Sequence, residues 1–355
     1  MHSWTGNAKH RRRHRHELGG HGRPAEGDGR LPRAAVGSAI IAGLRYALNS
    51  RPLRATLIRA GAFFLFASAL WAMLPLVARD VLNGGPTLYG LLLASVGAGA
   101  VLGALIMPAI KSRLGPNGTV AAGTSGIAVV LASFALVPNN AAAMVSSAAA
   151  GMCWIAVLSS FQVSAQTALP NWVRARGLSM FLTVFFGSMA AGSLLWGKIA
   201  TVTSIETSLL LAALGAVLFI PLTWAAKLNQ GDGMDLAPSM HWPAPIVSET
   251  PVHQGGPVMI QVTYEVAEAD RARFITLMHE FAASRRRNGG YGWSLMQDGE
   301  NRNVLVETWQ EPSWLDHLRH HERVTGADQR LQEEILALHH GKDRPFVRHL
   351  VAADS

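Results

Sequence analysis

The residues between Ala55 and Ala226 that could do chemistry are few, and they are neutral or cationic. Gln162 and Gln166 lie four apart, on one face of a helix, with Ser159 close by. Amides and hydroxyls so spaced could line a path for a polar small molecule; Gln166 is equally well placed for a membrane interface. Arg59 sits one turn into an apolar run, where an arginine either snorkels to headgroups or meets a substrate. Trp71 and Trp154 could stack on an aromatic substrate, though tryptophans at such depth more often pack or anchor at an interface. Trp196 with Lys198 reads as an outer interface anchor. No Asp or Glu lies deep in this stretch, so it offers no carboxylate for proton coupling. Nearer the C-terminus, His317, His320 and His321 occupy neighbouring helical positions and could hold a metal. A solvated helix face is the favoured reading, so no metal, cofactor or catalytic residue is assigned. Arg285-Arg-Arg287 reads as a helix C-terminus complementing the helix dipole.

The elements that position these residues follow from where charge is absent. Residues 55–226 carry seven Lys/Arg and two Asp/Glu, whereas residues 257–355 carry 12 and 15. The first composition suits a bilayer and the second a water-exposed surface. Six apolar runs, near 55–78, 87–110, 119–138, 141–165, 177–200 and 207–226, are separated by turn-forming sequences such as Asn83-Gly-Gly-Pro86 and Gly115-Pro-Asn-Gly118. Each is long enough to cross a hydrocarbon core of about 30 Å as a helix. Gly99 with Gly103, and the Ser188/Gly192 and Ser193/Gly197 pairs, have the spacing that lets helix backbones approach closely.

Residues 1–34, with the run His10-Arg-Arg-Arg-His-Arg-His16, are expected to be a disordered basic tail. The basic balance fits a cytoplasmic membrane flank rather than nucleic-acid binding. Residues 35–54 read as an interfacial helix and linker, and 227–256 as a Pro-rich linker. Cys153 is the single cysteine, which excludes an intrachain disulfide. The loops at 111–118 and 166–176 carry Lys111, Arg113, Arg174 and Arg176, and the last run meets Lys227, while the opposite loops lack net positive charge. Both termini are therefore expected in the cytoplasm, the chain crossing the plasma (inner) membrane several times.

Over residues 257–355 the pattern changes to strands at Val258–Val266, Tyr291–Gln297, Asn303–Trp309 and Phe346–Val351, with a helix over Ala269–Arg286 and another capped by Ser313 and Asp316. This βαββαβ order predicts a small ferredoxin-like α+β domain. The expected fold class is thus a membrane all-α bundle of six helices joined to that domain.

The stretches Leu53–Arg79, Ala168-Leu-Pro-Asn-Trp-Val-Arg-Ala-Arg-Gly177 and Ser193-Leu-Leu-Trp-Gly197 resemble the C-terminal half of a major facilitator superfamily transporter. The likeness is closest to the bacterial transmembrane secretion effector branch, which includes enterobactin-exporter-like proteins. It implies efflux of a small molecule such as a siderophore or drug, by alternating access about a midplane site between two six-helix halves. It also implies cytoplasmic gating loops at Arg113 and Gly115 and at Arg174 and Arg176. Ser112 and Pro108 depart from the superfamily's gating-loop pattern, and the family's first six helices have no counterpart here. The expectation is a truncated transporter with the lipid bilayer, a small-molecule substrate and either a second copy or a complementary N-terminal half as partners. The C-terminal region resembles the antibiotic-biosynthesis monooxygenase group through Glu307-Thr-Trp309 and the histidine-bearing helix that follows. Alternatives are a membrane-tethered domain of that kind, a dimerisation domain, or a non-functional remnant.

Overall fold

The computed structural model describes residues 36–228, 235–242 and 256–353. The basic tail and most of the Pro-rich linker lie outside the described residues. Helix α1 (Val36–Asn49) is separated by Ser50 alone from α2 (Arg51–Leu76), which a short π turn extends to Val81. Pro52 in the first turn of α2 costs no helical hydrogen bond, so the helix starts at Arg51 and takes in residues expected to form a linker. Then come α3 (Pro86–Leu136), α4 (Asn140–Thr167), α5 (Arg174–Val202) and α6 (Ile205–Leu222). Five elements, Arg51–Val81 and α3 to α6, are long and apolar enough to cross a membrane.

Helix α3 runs to 51 residues because the expected loop at 111–118 shrinks to Gly115, whose φ of 63° and ψ of −179° interrupt the helix. A side chain would be strained there. A straight helix would hold Gly103 and Gly126 about 35 Å apart. Yet a Cβ on Gly103 would touch Met152, and one on Gly126 would overlap Cys153, its neighbour on α4. Gly99 meets Ala148, and Ser133 bonds Ser146 at 2.9 Å. The arm before Gly115 therefore runs alongside α4 and the arm after it runs back. The element is bent double.

The soluble region holds β1 (Val258–Glu265), α7 (Arg271–Asn288), β2 (Tyr291–Gln297), β3 (Val304–Glu311), α8 (Trp314–Arg323), α9 (Gly326–Leu336) and β4 (Phe346–Val351). The four strands form one antiparallel sheet in the order β2-β3-β1-β4. This is the βαββαβ arrangement, with two helices rather than one in the second crossover. Alternation along β1 and β3 sends Val258, Ile260, Val262, Tyr264, Leu305, Glu307, Trp309 and Glu311 to the helix-covered face. Phe274, Met278 and Phe281 of α7 close the core over it.

The linker is less free than its prolines suggest. Pro238 bridges Thr325, the Ser239 amide donates to the Val324 carbonyl at 2.9 Å, and the Trp242 indole donates to Gln332 at 2.7 Å. Its described residues 235–242 are thus attached to the soluble fold.

Candidate functional site

In the helical region the polar residues separate into two groups. Arg59 is 3% exposed, so it does not snorkel freely. Its guanidinium donates to Asn117 Oδ1 at 2.5 Å, and the same oxygen accepts the Leu228 amide at 2.9 Å. One asparagine just past the Gly115 break thereby joins α2 to the segment that follows α6. Phe63, Phe66, Thr124, Phe219 and Thr223 line the space beside Arg59.

The second group faces outward on α4. Gln162 and Gln166 are exposed, while Ser159 donates back to the Ala156 carbonyl of its own helix. Trp71 and Trp154 meet edge to face at 5.3 Å within a cluster that includes Phe63, Phe64 and Phe185. The Trp71 indole N–H is buried and has no hydrogen-bond partner among the described residues.

The glycines expected at helix contacts diverge. A Cβ at Gly99 would overlap the Ala148 carbonyl, and one at Gly192 would overlap Leu65 and Ser68. Gly197 has nothing within 4 Å, so it makes no such contact here; the neighbouring Trp196 takes the interior, donating to the Leu65 carbonyl at 2.8 Å. Of the expected gating residues, Arg113 and Arg174 are exposed, Gly115 makes the break in α3, and Arg176 packs on Gly43 of α1.

Two expectations for the soluble domain are overturned. Arg285 does more than complement a dipole. It is 3% exposed and makes a two-pronged pair with Glu307 at 3.0 and 3.1 Å, its guanidinium 3.8 Å above the Trp309 ring. The helix-dipole role falls to exposed Arg286, because Arg287 pairs with Asp328 at 2.5 Å. His317 and His320 are not on a solvated face either; each is 1% exposed. Glu311 organises them. One carboxylate oxygen accepts from His317 Nδ1 at 3.0 Å, and the other binds His320 Nδ1 and the Trp309 indole N–H. Burial alone would raise the Glu311 pKa, but the two histidines hold it well below the carboxylate range. Burial, helped by neighbouring His317, lowers His321 to about 3 and His349 to about 4. A window of sequence shows the histidines but not that Glu311, from another element, turns them inward.

Helix α1 joins the two regions. Arg45 donates to the Gly289 carbonyl at 3.1 Å, and the Tyr46 hydroxyl to the Ala168 carbonyl at 3.2 Å. Trp172 stands edge to face with Tyr46, and the Arg323 guanidinium lies over the Trp172 ring, 4.4 Å from its centroid. Sequence reasoning missed Tyr46 and Arg323, which carry no motif, and read Trp172 only as part of the family-like stretch 168–177.

A family model described as transmembrane secretion effector matches residues 21–355. None of the curated proteins matches. The soluble region is similar to a solved structure from Caulobacter crescentus CB15 described as a candidate antibiotic biosynthesis monooxygenase. That match has 21% identity and a TM-score of 0.25, and covers 28% of this chain and 93% of the other.

Proposed function

The chain belongs to the family of transmembrane secretion effectors, and from that premise we propose that it exports a small molecule, such as a siderophore or drug, across the plasma membrane. The family match carries the reading, since it extends through both the apolar helices and the soluble domain. In this proposal α3 crosses the bilayer twice about Gly115, giving six crossings with both chain ends in the cytoplasm. Lys111, Arg113, Arg174, Arg176 and Lys227 then share the cytoplasmic side with the soluble domain.

The substrate path is proposed along Ser159, Gln162 and Gln166 with Trp71 and Trp154, reached from Arg59. Exposed amides at membrane depth are costly against hydrocarbon, so that face of α4 calls for a cover. A complementary set of helices, from a first half or a second copy, would supply both the cover and the carboxylate that couples transport to an ion gradient. Reporter fusions after Pro116 and Ala353 should report cytoplasmic, and fusions after Asn140 external; the reverse would sink the orientation. Purified alone in liposomes, residues 1–355 should show no proton-driven movement of a siderophore or fluorescent drug. Adding a matching first half should restore it, and Gln162→Leu should then cut it. Robust gradient-driven transport by the chain alone would overturn the need for a cover. Failure of every substrate with the cover supplied would overturn the export reading.

A second reading is favoured by the open face of the sheet, where Met296, Phe346 and Leu350 are exposed side by side with Met259 and Val306. Through this face the soluble domain would pair two copies of the chain. An enzyme site beside Trp309 is less well supported, because Arg285 and Glu311 occupy the space around the indole.

A further inference from the structure

His317 and His321 stand one turn apart on α8, so they share a face. His349 reaches them from β4, where its pairing with Ile260 places it on the helix-covered side of the sheet. One ring nitrogen from each of the three lies within 4.8 Å of the others. The His317 ring is 4.7 Å from that of His321 and 4.8 Å from that of His349.

The hydrogen bonds of His317 decide which nitrogen is available. An ionised Glu311 can only accept, so His317 carries a proton on Nδ1, and in the neutral ring the lone pair is then on Nε2. That Nε2 is buried and has no hydrogen-bond partner among the described residues. A buried, unpaired polar atom is unfavourable and asks for a partner. A carboxylate holding one imidazole nitrogen so that the other faces outward is the arrangement that orients histidines towards metals. The carboxylate of Glu311 also brings negative charge close to the three rings, which would offset part of a cation's desolvation.

We propose that His317, His321 and His349 bind a divalent cation of the zinc class, with Glu311 as the positioning residue behind His317. Three imidazole nitrogens and no carboxylate among the ligands favour zinc, cobalt, nickel or copper over magnesium or calcium. A fourth position remains for water or a ligand atom, and His321 and His349, both only partly buried, give a cation its way in. Tetrahedral zinc with nitrogens about 2.0 Å away needs ligand atoms roughly 3.3 Å apart, so the site must tighten. His349 lies on β4, an edge strand paired on one side only, and an inward shift of that strand would close the distance. The site is independent of the export reading, because it uses no residue of the helical bundle.

The test uses the full chain in detergent, stripped with a chelator and titrated with Co²⁺ and Zn²⁺. The expected result is an equivalent of Co²⁺ with the visible absorption of a tetrahedral site, displaced by Zn²⁺. His321→Gln and His349→Gln should each weaken it at least about tenfold, while His340→Gln at the surface should not. Because a substitution could disturb folding, the unaltered chain provides a second readout. Zn²⁺ should protect His321 and His349 from diethyl pyrocarbonate, as read by peptide mass spectrometry. Absence of binding, absence of protection, or binding that survives both substitutions because His10, His14 and His16 supply it would each overturn the proposal.

Discussion

Arg323, the last residue of α8, lies 4.4 Å over the ring of Trp172, in the turn between α4 and α5. The contact joins the soluble domain to the turn that leads into Arg174 and Arg176 at the start of α5. Burial lowers the Arg323 pKa to about 10, a sign of how far its guanidinium has left water. It stays charged at neutral pH and makes a desolvated cation–π contact, worth about 1–2 kcal/mol. Arg323→Ala should therefore loosen the attachment without unfolding either region. Hydrogen exchange should rise over residues 168–173 and α1 and stay unchanged in the β1–β3 ladder. No change at 168–173 would show that the contact carries no coupling.

Gly99 and Gly197 should respond in opposite ways. Gly99→Leu forces α3 away from α4, since even a Cβ overlaps the Ala148 carbonyl. The yield of folded protein in detergent should fall sharply. Gly197→Ala enters open space inside α5 and should stabilise by about 0.5–1 kcal/mol. Thermal scans of the two purified variants compare them directly.

Trp242 predicts where the soluble domain begins. It packs on His320 and His321, lies 4.9 Å from the Arg285 guanidinium, and donates to Gln332. A fragment of residues 235–355 should fold and outlast residues 257–355, by about 1–3 kcal/mol for burial of one large side chain. Equal urea midpoints for the two fragments would place the boundary at 257.

Asp328 predicts a dependence on pH. Burial would raise its pKa, but Arg287 at 2.5 Å and the Thr325 hydroxyl and amide outweigh this and lower it. A carboxylate with a depressed folded pKa contributes stability that is complete above its unfolded value, about 4. That contribution is lost as pH falls through the folded value. Asp328→Asn should cost roughly 3 kcal/mol at pH 7, as expected for breaking a buried pair. The gap from the unaltered domain should narrow as pH drops below about 4. A gap constant from pH 7 to pH 3 would assign the loss to the Thr325 cap alone.

The sequence alone determined the elements whose causes are local. Hydrocarbon tolerates no unpaired backbone and few charges, so long apolar runs marked the helices of residues 51–222. Alternation marked β1, the turn at 298–302 marked β2 and β3, and Pro345 marked the entry to β4, each within a residue or two, and Ser313 with Asp316 marked the start of α8. Tertiary structure decided what depends on facing elements. Gly115 and Pro116 signal a break, but the contacts of Gly103 and Gly126 with adjacent residues of α4 decide that the chain folds back there. Gly192 and Gly197 read alike, yet only Gly192 meets a neighbouring helix. The histidines of α8 read as a wet face because a helix carries no mark of which side its sheet will cover. Glu311 and His349, brought in by β3 and β4, turned that face into a buried polar cluster, and Glu307 did the same for Arg285. Those pairings join different elements, even where Glu311 and His317 are only six residues apart, and across such a break spacing along the sequence does not fix distance in space.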